Sequence, residues 1–594
     1  MTISAAVGAA RPRTAVAGVQ AALPYLGVLL AALLLPLLHE DYWTVIATRA
    51  AIYWVLVSGL NLVVGFAGQL AIGYVALLTL GAYTASILVE KAGAPPIVGL
   101  VAAAVVGGAA GVLVGLPALR LRTFYFAMTT LGFATIVTQV ALAWTSVTGG
   151  GIGLPGPAFA APFDSAVGFY LLCVAVAAVC TWMTLNVAAS RFGRGLVALR
   201  DAEVAAEASG VRKAPLLLSI FLLSGALAAV AGGLFATLQS YITPDAFTFD
   251  LSVLFFIAIL IGGRGSVLGP LLATLLLTAL PEFAAPLVAW STFLYAALLL
   301  VIVLLAPGGI AALLDFKNRA PLATGRAIVP RVGLVPGLLG GREAGVLALR
   351  GVGLSFGAVR AIDGLDLDLH PGEVHGLIGP NGSGKTTTLN AICGFNAPQI
   401  GEISVGGRAL PPGQPSTRTG FGIGRTFQTP RIVGEASVLE NVMVGGATLG
   451  RATLAEAVLT LPRSRGDERY LRMRAMQALC VVGLETLAPV RADRLQHSEL
   501  RFLEIARAMM AEPAFLLLDE PAAGLSASEI ERLGQLVRAM AEAGTGVLLV
   551  EHHADLIFAI CDRVTVLNLG KQLATGTPAE VREHREVVDA YLGR

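Results

Sequence analysis

The feature that most constrains this chain is the uneven distribution of charge along its 594 residues. Residues 20–315 carry only about twenty charged side chains, and most of the others follow Arg342. Overall 13% of the residues are charged and 56% are hydrophobic, whereas roughly 25% of the residues of an ordinary soluble domain are charged. This composition excludes a wholly soluble protein, a disordered chain and a collagen-like chain. The first half is suited to lipid and the second to water.

Apolar runs long enough to cross a membrane recur through the first half. A spanning helix needs about 20 mainly apolar residues, because the hydrocarbon core is about 30 Å thick. The candidates are Leu23–Leu38, Val45–Val64, Leu70–Val89, Ile97–Leu116, Phe124–Trp144, Val167–Ala188, Leu216–Leu238, Leu251–Leu280 and Leu287–Leu305. Leu251–Leu280 is interrupted at Gly262-Gly263-Arg264-Gly265, so it counts either as one span or as two short ones.

Positive charge decides between these counts, since cytoplasmic loops collect Lys and Arg. With a cytoplasmic N-terminus and two short spans in the interrupted run, the cytoplasmic loops hold Arg120, Arg122, Arg191, Arg194, Arg200, Arg212, Lys213, Arg264, Lys317 and Arg319. Only Arg49 and Lys91 oppose the bias. We therefore predict an all-α polytopic membrane domain of about ten helices, with both chain ends in the cytoplasm.

The second half contains a phosphate-binding motif. Gly379-Pro380-Asn381-Gly382-Ser383-Gly384-Lys385-Thr386 matches G-x-x-x-x-G-K-[ST], follows the strand-like run Val374–Ile378 and precedes a helical pattern from Thr387 to Cys393. In such a loop the backbone N–H groups surround phosphate oxygens, and the helix N-terminus adds positive potential. Lys385 is expected to reach the β- and γ-phosphates, and the Thr386 hydroxyl to coordinate Mg²⁺. The expected phosphate contacts are Gly379, Asn381, Gly382, Ser383, Gly384, Lys385, Thr386 and Thr387.

Two further apolar strands end in polar side chains. Phe515–Leu518 leads into Asp519 and Glu520, and Val547–Val550 leads into Glu551 and His552. The carboxyl end of a buried parallel strand lies beside a phosphate loop. Asp519 is therefore expected to hold Mg²⁺ through water, and Glu520 to polarise the water that attacks ATP. These patterns predict an α/β P-loop NTPase.

With these motifs in place, the second half resembles the nucleotide-binding domain of ABC transporters. The first half resembles the permease of the branched-chain (hydrophobic) amino-acid importers. The matching permease segments are Leu60–Leu62, Gly68–Leu70, Gly81–Tyr83, Leu119–Arg122, Tyr125–Ala127, Thr130–Phe133, Thr148–Gly150 and Gly262–Ser266. The polar segment Ser190–Pro215 is similar to the family's coupling loop, with Glu203, Glu207 and Gly210 at its core.

The resemblance implies roles for three more residues of the second half. Arg425-Thr426-Phe427-Gln428 resembles the Q-loop, in which Gln428 would contact Mg²⁺ and the permease. His552 resembles the switch histidine, and Phe356 stands where an aromatic ring would stack on adenine. The catalytic set is therefore Gln428, Glu520 and His552, and the Mg²⁺ set is Thr386, Gln428 and Asp519.

The chain departs from the family pattern at the signature segment, which binds ATP across the interface with a second ATPase. A sequence like LSGGQ is expected, and Leu495-Gln496-His497-Ser498-Glu499 occupies its place, followed by the well-matched Leu503–Arg507. Ser498 carries a side chain where a glycine permits close approach of the backbone to ATP. The ATP site that contains this segment is expected to hydrolyse poorly, which favours a heteromeric assembly with an ATPase whose signature is intact.

The resulting hypothesis is a fused permease–ATPase subunit of an importer. It comprises an N-terminal cytoplasmic tail (1–19), a transmembrane permease domain (20–315), a linker (316–345) and an ABC ATP-binding domain (346–594). It would use ATP and Mg²⁺ in the inner membrane with a second permease, a second ATPase and an extracytoplasmic binding protein. The net charge of +2 gives no indication of a nucleic-acid partner, and none is expected. The alternatives are an importer of urea, amides or small organic acids, an exporter half-transporter, and a non-hydrolysing regulatory subunit.

Overall fold

The computed structural model describes residues 14–38, 41–121, 123–283, 308–314, 328–339 and 344–587, with single residues between 290 and 304. The first part is helical. Its helices are α1 (Thr14–Leu38), α2 (Asp41–Asn61), α3 (Val75–Ala92), α4 (Pro96–Ala118), α5 (Thr123–Ala143), α6 (Thr145–Thr148), α7 (Ala166–Ala189), α8 (Arg191–Ala208), α9 (Lys213–Gln239), α10 (Phe249–Gly262), α11 (Leu268–Phe283) and α12 (Gly309–Leu314). Two short strands, β1 (Leu154–Pro155) and β2 (Tyr241–Ile242), pair antiparallel.

Within the described residues, seven helical segments are long and apolar enough to cross a membrane. They are Tyr42–Phe66, Val75–Ala92, Pro96–Ala118, Thr123–Ala143, Ala166–Ala189, Lys213–Gln239 and Pro244–Gly262. Shorter apolar helices cover Ala22–Leu37 and Leu268–Glu282. The predicted fold class is confirmed. The last predicted span, Leu287–Leu305, lies outside the described residues except for isolated positions, so the count of ten stays a prediction.

Small residues allow the membrane helices to pack closely. A Cβ added at Gly225 of α9 would lie 2.3 Å from the carbonyl oxygen of Gly107 in α4. One added at Gly232 would lie 2.0 Å from the carbonyl oxygen of Leu78 in α3. Apolar side chains gain little from leaving lipid for another helix, so close van der Waals contact of this kind drives helix association in a bilayer. Helix α9 is therefore the centre of the permease bundle.

The chain interrupts its membrane helices at two places. After α2 the residues Leu62–Phe66 form a π-helical turn, and regular helix resumes only at Val75. The predicted span Leu70–Val89 is wrong at its start, because the backbone N–H groups of Ile72 and Gly73 donate to Thr130 Oγ1 instead of entering a helix. The second interruption, Gly263–Val267, separates α10 from α11.

The ATPase part contains two sheets. Its strands are β3 (Leu347–Phe356), β4 (Val359–Leu369), β5 (Val374–Ile378), β6 (Ile400–Val405), β7 (Arg408–Ala409), β8 (Ile423–Arg425), β9 (Phe515–Asp519), β10 (Gly546–Val550), β11 (Arg563–Asn568) and β12 (Lys571–Gly576). One sheet has the order β12-β11-β5-β10-β9-β8, and β5, β8, β9, β10 and β11 in it are parallel. The other has the antiparallel order β4-β3-β6-β7.

Helices cover the parallel sheet, so its central strands are buried throughout. The helices of the ATPase part are α13 (Val335–Leu339), α14 (Lys385–Ile392), α15 (Val438–Val444), α16 (Leu454–Val458), α17 (Pro462–Val482), α18 (His497–Met509), α19 (Ala527–Glu542), α20 (Ala554–Ile560) and α21 (Pro578–Glu583). Helix α13 lies inside the predicted linker 316–345, yet Val335, Leu338 and Leu339 are buried in the ATPase core. Arg474 also donates to the carbonyl oxygen of Leu338.

We expect Gly225→Ala to destabilise the permease. The new methyl group would overlap the Gly107 carbonyl of α4, so the free energy of unfolding should fall by about 1–3 kcal/mol. Denaturation of the purified protein in mixed detergent micelles measures the change. Gly132→Ala is the control, since a Cβ there would meet nothing within 4 Å. Equal stability of the two variants would contradict the packing role of Gly225.

Candidate functional site

The carboxyl ends of three adjacent parallel strands form the candidate site. The phosphate loop follows β5, Asp519 ends β9, and Glu551 and His552 follow β10. The sheet register pairs Val550 with both Asp519 and Leu377, so the three strand ends stand at one level. The sequence predicted these strands almost to the residue, and the topology brings their polar ends together.

Glycine is required at two positions of the phosphate loop. Gly379 has φ +153° and a Cβ there would lie 2.1 Å from the Leu567 carbonyl oxygen. Gly384, which precedes α14, has φ +104° and a Cβ there would lie 2.4 Å from the Ala361 carbonyl oxygen. Both conformations and both contacts exclude a side chain. Glycine therefore lets the loop pack closely against the strands that carry Ala361 and Leu567.

Lys385 folds back over this loop. Its Nζ donates to the carbonyl oxygens of Gly379 at 2.8 Å and Pro380 at 2.9 Å. Burial lowers the pKa of Lys385, while the nearby carboxylates of Glu520 and Asp519 oppose that shift. Phosphate oxygens are strong acceptors that can replace these two carbonyls. Thr386 follows in the first turn of α14 with its side chain exposed, whereas Ser383 is buried.

Asp519 is a buried carboxylate with one oxygen already paired. Arg425 Nη2 donates to Asp519 Oδ2 at 3.2 Å, and Asp519 Oδ1 makes no hydrogen bond among the described residues. Burial raises the pKa of Asp519, and the Arg425 charge opposes the rise. A buried carboxylate oxygen without a donor suits a divalent cation, since Mg²⁺ prefers oxygen ligands. The oxygen ligands at this edge of the sheet therefore fit the predicted Mg²⁺.

The three predicted catalytic side chains meet at Glu520. Gln428 Nε2 donates to Glu520 Oε2 at 2.8 Å, and His552 Nε2 lies 3.0 Å from Glu520 Oε1. Glu520 also has φ +48°, an uncommon conformation for a residue with a side chain. Its own N–H donates to the Val550 carbonyl at 2.8 Å, which holds that conformation in place. The carboxylate is thus fixed in position and able to accept a proton from water.

The sequence pattern assigns no separate role to Arg425 or to Glu551. Arg425 lies in the Q-loop pattern, and in the structure it pairs with Asp519 and donates to Asn390 Oδ1 at 2.6 Å. Glu551 is 3% exposed, and its carboxylate accepts from the N–H groups of Ala522 and His552. Glu551 therefore positions His552 and the segment that follows Glu520. A charged residue within or directly after a buried strand was the available indication in both cases.

Phe356 lies apart from this cluster. It ends β3 at a hairpin, pairs with Val359 and is 53% exposed. An exposed aromatic ring is available for stacking on a base. Its adenine role remains a prediction, as do the contacts expected of Asn381, Gly382 and Thr387.

The altered signature segment begins α18. The Gln496 N–H donates to Glu499 Oε2 at 2.8 Å, which caps the helix. His497 Nε2 lies 3.1 Å from the Ala523 carbonyl oxygen, and a Cβ at Gly524 would meet the His497 ring at 2.9 Å. The histidine ring therefore fills the space beside the segment that follows Glu520.

The predicted coupling segment contacts the ATPase through arginines. Arg191 donates to the carbonyl oxygens of Ala447, Gly450 and Ala452, and Arg194 pairs with Glu468 at 2.7 Å. Gly210 has φ +88° and packs against Thr419 and Thr448. Glu203 instead pairs with Lys213 inside the permease, at 2.6 Å. The segment is a helix from Arg191 to Ala208 with a kink at Ala202.

Comparisons with known proteins match both halves. The permease component of the branched-chain amino acid transport system matches residues 43–306, the ABC transporter model residues 362–523 and the branched-chain amino acid ATP-binding cassette transporter model residues 571–594. The high-affinity branched-chain amino acid transport ATP-binding protein LivG of Salmonella typhimurium is 39% identical over 251 residues, covering 42% of this chain and 98% of LivG. The chain belongs to the branched-chain amino acid ABC transporter family.

Two more known proteins are similar to the ATPase half. The ATP-binding protein BraF of Pseudomonas aeruginosa is 37% identical over 251 residues, covering 42% of this chain and 98% of BraF. A crystal structure of a nucleotide-free ATP-binding cassette from an ABC transporter has 28% identity and a TM-score of 0.38, covering 42% of this chain and 100% of the cassette. The family hydrolyses ATP, and the chain is a membrane protein with a cytoplasmic ATPase.

Arg425→Gln should shift the pH dependence of ATP hydrolysis. Loss of the guanidinium lets burial raise the pKa of Asp519 further, so Asp519 protonates at higher pH and activity is lost sooner on acidification. The acid limb of the profile of kcat/KM should move upward by about one pH unit. Arg538→Gln is the control, because Arg538 pairs with Asp562 at 2.8 Å, outside the site. An unchanged profile would contradict the assigned role.

Proposed function

We propose that this protein is the fused permease–ATPase subunit of an importer that uses ATP to carry branched-chain and other hydrophobic amino acids across the inner membrane. The observation that carries the proposal is that Gln428 and His552 both contact the Glu520 carboxylate. The ATPase domain that contains this site packs against the membrane helices of the same chain. The family relationship supports the substrate class, because LivG and BraF are named for branched-chain amino acid transport.

Hydrolysis follows from the geometry around Glu520. Lys385 exchanges its two carbonyl partners for oxygens of the β- and γ-phosphates, which draws the triphosphate into the loop. Glu520 accepts a proton from a water molecule while the oxygen of that water attacks the γ-phosphorus. The bond from that phosphorus to the β,γ-bridging oxygen breaks, and ADP and phosphate leave. His552 holds the Glu520 carboxylate from one side and Gln428 from the other.

Mg²⁺ would be held by the Thr386 hydroxyl, the Asp519 carboxylate and the Gln428 amide. When bound, it neutralises charge on the β- and γ-phosphate oxygens. Asp519 Oδ1, which has no donor among the described residues, supports this assignment. Arg425 opposes the rise in the pKa of Asp519 and orients its carboxylate, so the carboxylate does not need to reorganise when MgATP arrives.

Import also requires partners of defined chemistry. We infer a second permease subunit, a second ATPase with an intact signature and an extracytoplasmic protein that delivers the substrate. The signature of this chain supports the second ATPase, since His497 and Ser498 stand where glycine would admit ATP. In that assembly the Lys385–Glu520 site uses the partner's signature and hydrolyses ATP. The opposite site uses Gln496–Ser498 and hydrolyses poorly.

Glu520→Gln should abolish uptake of radiolabelled leucine. The amide cannot accept the proton of the attacking water, so both ATP hydrolysis and uptake should fall by about 100-fold or more. The complete complex in proteoliposomes, supplied with the binding protein, gives both rates. Glu542→Gln, at the exposed end of α19, is the matched control. Competition by urea or benzoate in place of leucine and isoleucine would favour the alternative substrate class, and ATP-driven export of leucine would exclude import.

The double substitution His497→Gly with Ser498→Gly should restore hydrolysis to the Glu520→Gln complex. Glycines would let ATP approach the backbone of α18, so the opposite site becomes competent while the Lys385 site stays inactive. In the wild-type complex the same change should raise the rate up to about twofold, because two sites turn over instead of one. A triple variant as inactive as Glu520→Gln would show that the signature substitutions are not what limits the opposite site.

A further inference from the structure

One arginine of α8 joins the ATPase to the interrupted part of the permease. The Arg200 side chain is only 9% exposed and makes four hydrogen bonds. Nη1 donates to the Gly65 carbonyl oxygen at 2.6 Å, and Nη2 donates to Glu435 of the ATPase at 3.1 Å. Nε and Nη2 also form a bidentate pair with Asp201, at 2.7 and 2.9 Å. The guanidinium thus contacts both halves of the protein at once.

Both helix interruptions converge on this guanidinium. The Gly65 carbonyl belongs to the π-helical turn, and a Cβ at Gly68 would lie 2.5 Å from Arg200 Cγ. A Cβ at Gly265, in the second interruption, would lie 3.6 Å from Arg200 Nη1 and 3.8 Å from Glu435 Oε2. Asn61 ties the two interruptions together by donating to the Ser266 carbonyl at 2.8 Å. They form one unit around Arg200.

On the ATPase side, Glu435 belongs to a segment that begins at the catalytic cluster. Gln428 contacts Glu520, and the chain then runs through Arg431 and Val433 to Glu435. The Arg431 carbonyl accepts from Arg507, and the Val433 N–H and carbonyl both bond to the Asn441 side chain. A segment held at several points moves with the body that holds it. Glu435 therefore moves together with the ATPase residues that hold this segment.

We propose that Arg200 is a positioning residue that transmits nucleotide-dependent movement of the Gln428–Glu435 segment to the two interrupted helices of the permease. The inference rests on the proposed function, which supplies the movement. Each interruption has left the regular helical hydrogen-bond pattern, so it can change conformation without first breaking a complete helix. Arg200 donates to the Gly65 carbonyl oxygen of this region, and its other partner, Glu435, moves with the ATPase.

Only an arginine suits this position. Its planar fork reaches Asp201, Glu435 and Gly65 in three directions, whereas a lysine ammonium is a point charge without that geometry. Burial lowers the pKa of Arg200, but the hydrogen bonds and charges of Asp201 and Glu435 outweigh it and raise the pKa. The kink at Ala202, with φ −146° and ψ 57°, directly follows the Arg200–Asp201 pair. The two parts of α8 can therefore shift relative to each other at this point.

Arg194 provides a matched control on the same helix. It pairs with Glu468 of the ATPase at 2.7 Å and its side chain is 10% exposed, so it resembles Arg200 in burial and partner type. Its side chain also donates to the Ala189 carbonyl oxygen at 3.0 Å, at the end of α7 and away from both interruptions. Arg194→Gln removes one interface ion pair and leaves the interruptions untouched.

The first measurement is the number of leucine molecules imported per ATP hydrolysed by the complete complex in proteoliposomes. Arg200→Gln and Glu435→Gln should lower this ratio about tenfold while ATP hydrolysis continues, since coupling between sites typically amounts to a 5–150-fold effect. Arg200→Lys should recover part of the ratio. Arg194→Gln should leave the ratio unchanged. An unchanged ratio in Arg200→Gln would overturn the inference while the proposed function stands.

The second measurement does not depend on the substrate. Hydrogen exchange of the complete complex in nanodiscs is followed at residues 61–74 and 261–268, with and without MgATP, in the Glu520→Gln background that prevents turnover. MgATP should change exchange in both segments, and Arg200→Gln should abolish the change while Arg194→Gln retains it. Absence of a change in Glu520→Gln alone, or its persistence with Arg200→Gln, would overturn the inference. A change that depends on Arg200, together with a complex that imports no amino acid even when Glu520 is intact, would support the inference and refute the proposed function.

Discussion

A backbone carbonyl released from a broken membrane helix must find a donor, because lipid offers none. Here the Gly65 carbonyl oxygen accepts a hydrogen bond from the Arg200 guanidinium, while the N–H groups of Ile72 and Gly73 donate to Thr130 Oγ1. This requirement explains why the interruptions lie against cytoplasmic helix α8 and within the permease core. It also explains the glycines, since any side chain at Gly68 would displace Arg200. The non-helical backbone is thus stabilised by the same arginine that faces the ATPase.

The ATPase site depends on strain and burial in a similar way. Glu520 holds a left-handed conformation because its N–H is paired with Val550 and its carboxylate with Gln428 and His552. Asp519 stays buried because Arg425 supplies the opposite charge. Removing one partner from such a buried pair is costly, since the remaining charge is left without compensation. The Asp519 and Glu520 carboxylates are therefore in place before nucleotide binds, whereas Lys385 must exchange partners.

Much of this arrangement could be predicted from the sequence because it depends on local periodicity and on a spaced motif. The strands Val374–Ile378 and Phe515–Asp519, the phosphate loop and most membrane helices follow directly from such patterns. The late start of α3 at Val75 could not be predicted, because an apolar run does not reveal that its first amides bond to Thr130. Contacts between distant segments, such as Arg200 with Gly65 and Glu435, leave no local periodicity. The sequence places Arg191, Arg194 and Arg200 in the segment that resembles a coupling loop, but only the structure shows which ATPase residues each arginine contacts.

Joining both activities in one chain changes what this interface must achieve. Many of the contacts are polar, with arginines donating to backbone carbonyls and to the carboxylates of Glu435 and Glu468. Two separate subunits joined by such contacts would need a larger apolar area to stay associated. A covalent link replaces that need with a high effective concentration, on the order of millimolar for a short linker. Polar contacts of moderate strength can then break and reform with each ATP cycle. An interface that must move and yet not dissociate is well served by that combination.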